Sequence, residues 1–444
     1  MRGFLAALDS RGELLRVTRR VDPVHELAAF LAELDARQAV LFEHTGTGIP
    51  VVGNLLNSRA RIAAALGVEP AAIESHIAAA VDKAIKPEIV ERAAWQDVVV
   101  DNPDLVTLPV PTFFEHETGP YISCGVIVAM DRRSGGRNVS IARLKLMGGN
   151  RAFVGIAPNH HLAVMAREAH ARGEKLEIAV TIGNHAAVVL ASNLYLRLGD
   201  DEYDAAGGLL GEPLLLARCG KVDLEVAAAC EMVLEGTIDS GETVEEGPVS
   251  EYHGMYVHYK RGPVVTFSRL SRRRDAIYQA VLPGFHPEHI LIGAVAIGAT
   301  TGRAVANAVP SFARIAVTEP GCGRMSAVIA LRDPVPGDAR KAMFAAWASV
   351  NLLKHVVVVD ADIDPHDPKQ VDWALATRTR YERDVLVVPG VRADRSDPMA
   401  ENGLIAKMGI DATKKPGDRE RWDIAAPPGE VIERVRRELK SRLT

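Results

Sequence analysis

Between residues 96 and 267 the chain is a succession of short β-rich segments punctuated by Gly and Pro. They lie at 96–100, 121–130, 138–147, 176–182, 214–218, 232–238 and 264–267, and helical patterns interrupt them only at 161–171 and 202–210. So many short strands without a regularly alternating helix predict a barrel rather than a doubly wound sheet. The flanks read differently. Leu27, Phe30, Leu31 and Leu34 fall at helical spacing, ahead of apolar strands at 39–42 and 50–52 and helices at 59–66 and 74–86. After residue 275, helical patterns at 277–282, 287–308, 338–350 and 370–377 alternate with strands at 312–317, 326–331, 355–359 and 384–388. The expected fold class is α/β (α+β), with an N-terminal α/β unit over 1–100, a β-barrel over 101–275, and a helix plus C-terminal α/β domain over 276–444. A terminal amphipathic helix sets Val431, Ile432, Val435 and Leu439 on one face, which must dock on the body or on a second subunit.

Composition narrows the function classes. The 444 residues suffice for two or three domains, at about 150 residues each. A net charge of −5 argues against a nucleic-acid or anionic-membrane surface. Cys124, Cys219, Cys230 and Cys322 form no Cys-x-x-Cys pair, so neither a zinc site nor a disulfide framework is expected, and a reducing, cytoplasmic setting is. Asp9, Arg11 and Glu13 break up the first apolar run before a signal-peptide core forms. The most apolar segment, 290–299, is rich in Gly and Ala and reads as a buried helix, not a membrane span.

Two groups of residues have the chemistry of a site. Asn138, His161 and Glu202 offer an amide oxygen, an imidazole and a carboxylate, a mixed set that suits Mg²⁺ or Mn²⁺. Read alone, the same residues are more often caps or surface groups than ligands. His160 and His161 are adjacent, so either could be the ligand; the following Leu-x-x-Met favours His161 and leaves His160 to face cofactor or substrate. Arg143, Glu246 and Glu251 form the second group. Two carboxylates beside one guanidinium have their proton affinities pushed apart, as a proton donor requires. The competing reading is a surface ion pair and a turn at Gly247-Pro248. Strict strand alternation places Asn138 and Arg143 on opposite faces unless a bulge intervenes.

The order and spacing of several segments resemble the UbiD-type decarboxylases, which use prenylated FMN. The segments are Asn-Val-Ser-Ile-Ala-Arg at 138–143, Glu-Met-Val-Leu-Glu-Gly at 231–236, Glu-Gly-Pro-x-x-Glu at 246–251 and Lys-Met-Gly-Ile-Asp-Ala-Thr at 407–413. The resemblance implies that the barrel is a split barrel binding the flavin. It implies reversible, non-oxidative decarboxylation of an aromatic, heteroaromatic or α,β-unsaturated acid. Arg143, Glu246 and Glu251 become the catalytic network, with Glu251 the proton donor. Asn138, Val139, Ser140, Ile141, Ala142, Arg143, His160, His161, Glu202 and Lys407 become cofactor contacts. Asn138, His161 and Glu202 hold Mn²⁺ or Mg²⁺ at the flavin phosphate, and carbonyls of Val139, Ala191, Ser192 and Leu194 hold K⁺. A flavin prenyltransferase supplies the cofactor, and a homodimer or larger homo-oligomer is implied.

Two other readings compete. Asp360, Asp362 and Asp364 follow an apolar strand, as in metal-dependent nucleotide-sugar transferases, or simply begin a helix. A non-catalytic flavin-binding protein would have no need of Arg143, Glu246 and Glu251. Neither a G-x-G-x-x-G nor a Walker loop is present, which disfavours Rossmann and P-loop enzymes.

Overall fold

The computed structural model describes residues 1–132, 135–197, 199–415 and 425–442. Its centre is a nine-stranded sheet. The strand Arg137–Ile141 forms one end of the sheet and pairs with Val126–Met130. The next strand, Arg143–Gly148, lies near the other end, between Tyr121–Ile122 and Arg151–Gly155. Ala142 alone joins the two. A sheet whose opposite ends are tied by one residue must curl round on itself, the opened barrel that the run of short strands predicts.

A long hairpin supports this curl. Met232–Ser250 pairs antiparallel with Tyr256–Arg272 along its length, with register shifts near Glu235 and between Asp239 and Thr243. The sequence shows only its two apolar ends, at 232–238 and 264–267. The middle, rich in Glu and Gly, carries no alternation, yet it pairs all the same. Gly247 and Pro248 therefore sit inside a strand, opposite Tyr259 and His258, and not in a turn. Gly247 holds φ at +88°, a conformation that favours glycine.

The N-terminal sheet runs Leu14–Arg20, Ala39–His44, Val51–Gly53 and finally Tyr278–Gln279. This last strand corrects the helical expectation for 277–282. Tyr278 N–H donates to the Pro50 carbonyl at 2.8 Å and Ala280 N–H to the Val52 carbonyl at 2.9 Å. A short apolar run buried on both sides gives the same pattern for helix and strand, and Pro283 ends it after one turn's length.

The C-terminal sheet has the order Phe312–Val317, Ser326–Leu331, His355–Asp360, Leu404–Ala412, Val385–Arg392. Between it and the rest lies the helix Pro287–Ala308, apolar on nearly every face. Leu291, Val295 and Ala299 pack into the core shared with the N-terminal helices, whereas Ala294, Ile297 and Val305 pack under the C-terminal sheet. Among the described residues it is the one helix long and apolar enough to cross a membrane, and most of it is buried in the fold. The terminal helix Gly429–Arg442 is different: Val435 and Leu439 remain exposed.

Candidate active site

The cleft between the curled sheet and the C-terminal domain has a volume of about 270 Å³. Arg143 lines it, the first residue after the Ala142 seam. Its guanidinium grips Glu246 with two bonds, Nε to Oε1 at 2.5 Å and Nη2 to Oε2 at 2.7 Å. Glu246 is 0% exposed. Such a fork both orients the arginine and keeps its charge. Gly155, on the neighbouring strand, leaves room for it: a Cβ there would come within 2.7 Å of Arg143 Cγ.

The third nitrogen, Nη1, reaches Glu251 Oε1 at 3.3 Å. The same oxygen accepts from the Tyr259 hydroxyl at 2.8 Å. Both donors converge on Oε1, so Oε2 has no protein partner among the described residues. The three predicted catalytic residues thus meet in one network, and the hairpin turn brings Glu251 to it. Tyr259 is a functional residue that the sequence did not disclose, because only the long hairpin register sets it beside Glu251. Burial, reinforced by the charge of Glu251, raises the Tyr259 pKa and keeps the phenol protonated.

Asn138 and Glu202 also meet, away from the cleft lining. Glu202 begins the helix Glu202–Leu210, behind the Asp201 cap. Its Oε2 accepts from Val139 N–H at 2.7 Å, and its Oε1 lies 3.5 Å from Asn138 Nδ2. Burial pushes the Glu202 carboxyl up to about 8, with no cation beside it among the described residues. A buried acceptor set of this kind fits a divalent cation, which would remove that penalty. His161 opens the helix His161–Ala171, with no side-chain hydrogen bond or ion pair among the described residues, while His160 lines the cleft. Burial, then the charge of Arg395, lowers the His160 pKa and leaves a neutral imidazole. Ala191 ends the helix Ala186–Ala191, and Ser192 and Leu194 follow in its last turn.

Val139, Ser140, Ile141 and Ala142 form the seam between the two groups; Ile141 and Ala142 line the cleft. The break at Ala142 resolves the parity question: Asn138 and Arg143 lie on separate strands with different partners, so alternation does not run through them. Lys407 is elsewhere. It is fully buried in the C-terminal sheet, donates to the Asn351 carbonyl at 3.2 Å, and is not part of the cleft lining.

The Asp-x-Asp stretch has a structural use. Arg378, itself fully buried, bonds Asp360 at 2.8 Å and Asp362 at 3.0 and 2.8 Å, and Lys414 adds a further bond to Asp362 at 2.8 Å. The Asp364 carboxylate accepts from His366 N–H at 3.1 Å. These bonds hold Asp362 down at about 2, with Arg378 the main cause. Among the described residues, no three His, Cys, Asp or Glu side chains cluster as a metal site.

A curled sheet with an arginine and two carboxylates at its seam, under an α/β cap, is the arrangement of a carboxy-lyase of the UbiD class. The chain belongs to that family: descriptions of the N-terminal, Rift-related and C-terminal domains of 3-octaprenyl-4-hydroxybenzoate carboxy-lyase match residues 5–81, 88–286 and 290–412. Anhydromevalonate phosphate decarboxylase of Methanothermobacter thermautotrophicus is 36% identical over 95% of this chain and 98% of its own. The UbiD-class enzyme HmfF from Pelotomaculum thermopropionicum, solved with FMN, is 39% identical, with a TM-score of 0.91 over 96% of this chain and 97% of its own. HmfF has also been solved in an evolved dimeric form with prFMN. Vanillic acid decarboxylase of Sedimentibacter hydroxybenzoicus is 27% identical, with a TM-score of 0.86 over 100% of this chain and 98% of its own. The protein is accordingly a decarboxylase of the UbiD class.

Proposed function

We propose that this enzyme reversibly decarboxylates an aromatic, heteroaromatic or α,β-unsaturated acid with prenylated FMN, and that Glu251 donates the proton. The observation that carries the reading is the geometry around Glu251, a residue of the cleft lining whose Oε1 is held by Tyr259 and Arg143 and whose Oε2 has no protein partner among the described residues. The flavins bound by HmfF support the cofactor.

When bound, prenylated FMN supplies the electron sink that no side chain here can provide. The rest falls to the chain. Arg143 Nη1 orients the substrate carboxylate, while Glu246 fixes the guanidinium from behind. The bond to the carboxylate breaks, CO₂ leaves, and the electron pair stays on the unsaturated carbon. A proton held on Glu251 Oε2 then completes the C–H bond. Tyr252 and Leu352 line the cleft and would shield a bound substrate from water. Asn138, Glu202 and His161 would hold Mn²⁺ or Mg²⁺ at the phosphate, and carbonyls of Val139, Ala191, Ser192 and Leu194 a K⁺. A flavin prenyltransferase would supply the cofactor, and a second copy would cover the exposed face of Val435 and Leu439 in a homodimer.

The test is Glu251→Gln, produced with a flavin prenyltransferase. The variant should bind flavin as the parent does, by absorbance and mass, and lose CO₂ release from an acid panel. Full turnover would remove Glu251 from the role.

A further inference from the structure

The hairpin ladder ends where Ser250 faces Tyr256, so Glu251 is the first residue beyond it. Its backbone belongs to a turn. Glu251 N–H donates to the Met255 carbonyl at 3.2 Å, and Gly254 N–H to the Glu251 carbonyl at 2.8 Å. Gly254 takes a φ of +80°, which favours glycine. A turn outside the ladder has few backbone bonds to restrain it. The two residues after Glu251 supply further restraint, and they find it in the other domain.

Ser396 lies between the strands Val385–Arg392 and Leu404–Ala412 of the C-terminal sheet. Its hydroxyl is 2.9 Å from that of Tyr252, and its carbonyl is 3.1 Å from His253 Nε2. The His253 tautomer follows from its partners. Met255 N–H donates to Nδ1 at 3.2 Å, so Nδ1 carries no hydrogen, and Nε2 is the nitrogen that donates to the Ser396 carbonyl. One imidazole thus ties the turn both to itself and to the C-terminal domain. Ser396 is fixed in its own right. Asp394 Oδ1 accepts from its N–H at 3.0 Å and from its hydroxyl at 2.6 Å, and the next residue, Asp397, pairs with Lys354 at 3.1 Å. A hydroxyl has one hydrogen, and that of Ser396 goes to Asp394, so the Tyr252 hydroxyl is the donor between the two. Ser396 and Tyr252 are both buried.

Glu251 therefore sits at a joint. Its side chain is bonded to the curled sheet through Arg143 and Tyr259, whereas the turn that carries it is bonded to the C-terminal domain. A proton donor works only within hydrogen-bond reach of the atom it serves, and a displacement of about an ångström costs on the order of a hundredfold in rate. We infer that Ser396 is a positioning residue for the proton donor. Its carbonyl and hydroxyl, acting through His253 and Tyr252, set the turn, so that the C-terminal domain and not the sheet alone aims Glu251 Oε2. This rests on the decarboxylase reading above and adds what holds its proton donor in place.

The experiment compares holoenzymes on an acid that the parent decarboxylates. His253→Ala removes the donor to the Ser396 carbonyl, His253→Gln returns an N–H donor near the Nε2 position, and Tyr252→Phe removes the bond to the Ser396 hydroxyl while keeping the ring. His253→Ala should lower kcat by about tenfold or more, leave KM within about twofold, and enlarge the solvent deuterium isotope effect on kcat, because proton transfer becomes the slower step. Flavin content should stay that of the parent. His253→Gln should recover part of kcat, and Tyr252→Phe should act as His253→Ala does, so the test survives if one variant folds poorly. Two results would overturn the inference: a kcat within about twofold of the parent in both His253→Ala and Tyr252→Phe, or a lower kcat with the parent's isotope effect, which is what a purely structural turn gives. Glu251→Gln keeps the two readings apart. Full turnover in that variant removes the proton donor itself, whereas its loss beside parent-like His253→Ala and Tyr252→Phe removes only the role of Ser396.

Discussion

The Tyr259 hydroxyl donates to Glu251 Oε1 at 2.8 Å across a hairpin turn that separates the two by eight positions in the chain. It keeps one carboxylate oxygen occupied and so aims the other. Removing the hydroxyl while keeping the ring tests that orientation. Tyr259→Phe should retain both guanidinium contacts, lose about 1 kcal/mol of stability, bind flavin normally, and decarboxylate roughly tenfold more slowly or worse. Single-turnover rates on holoenzyme are the measurement; parent-like rates would leave Tyr259 a packing residue.

Glu246 never reaches the cleft, so its effect must pass through Arg143. Glu246→Gln would leave a largely buried guanidinium with Glu251 as its only carboxylate. Breaking such a pair should cost about 2–4 kcal/mol, read as a lower urea midpoint. Turnover should fall with it, because Arg143 would then be drawn onto Glu251 and away from substrate.

How much of this was legible in the residues follows from what each feature depends on. The Pro287–Ala308 helix and the apolar strands of the C-terminal domain announce themselves by periodicity, since each is specified within its own span. Arg143, Glu246 and Glu251 were accessible because their spacing carries a family pattern. Tyr259 was not: only the register of the long hairpin sets it beside Glu251. The strand at Tyr278–Gln279 was missed for the same reason, as its partner lies at Val51–Val52.

His289 gives the fold a pH dependence. Burial, then the charge of Arg324, lowers its pKa to about 4. The unfolded imidazole titrates at about 6.5. A depressed pKa means that the unfolded chain binds the extra proton first. Stability should therefore be complete above about pH 6.5 and fall as pH drops toward 4, by at most a few kcal/mol because His289 borders the cleft. His289→Asn should flatten that part of the stability–pH curve, measured by urea unfolding between pH 4 and 7.

Lys407 separates two uses of a buried cation. Burial lowers its ammonium to about 8, and its bond to the Asn351 carbonyl lies just past the end of the helix Asp338–Ser349, where a positive charge is favourable. A phosphate contact requires Lys407→Met to lose flavin at unchanged stability. A helix-end role requires the variant to unfold more easily while its flavin content holds. The sheet geometry favours the second outcome, and flavin absorbance together with melting temperature decides between them.

The histidine pair offers two candidates for the third ligand of the proposed metal. Glu202 and Asn138 are fixed by the strand Arg137–Ile141 and the start of the helix Glu202–Leu210, whereas a histidine ligand would come from the start of the helix His161–Ala171 or from its N-cap, His160. His161 has no side-chain hydrogen bond or ion pair among the described residues, so its imidazole is available to a metal. His160 is turned to the cleft, beside Arg395. His161→Ala should lose bound Mn²⁺ by elemental analysis and most of the flavin with it, since a phosphate anchored through the metal has lost its anchor. His160→Ala should keep both and alter turnover instead. The reverse pattern would transfer the ligand role to His160, and retention of metal and flavin in both variants would remove histidine from the metal site altogether.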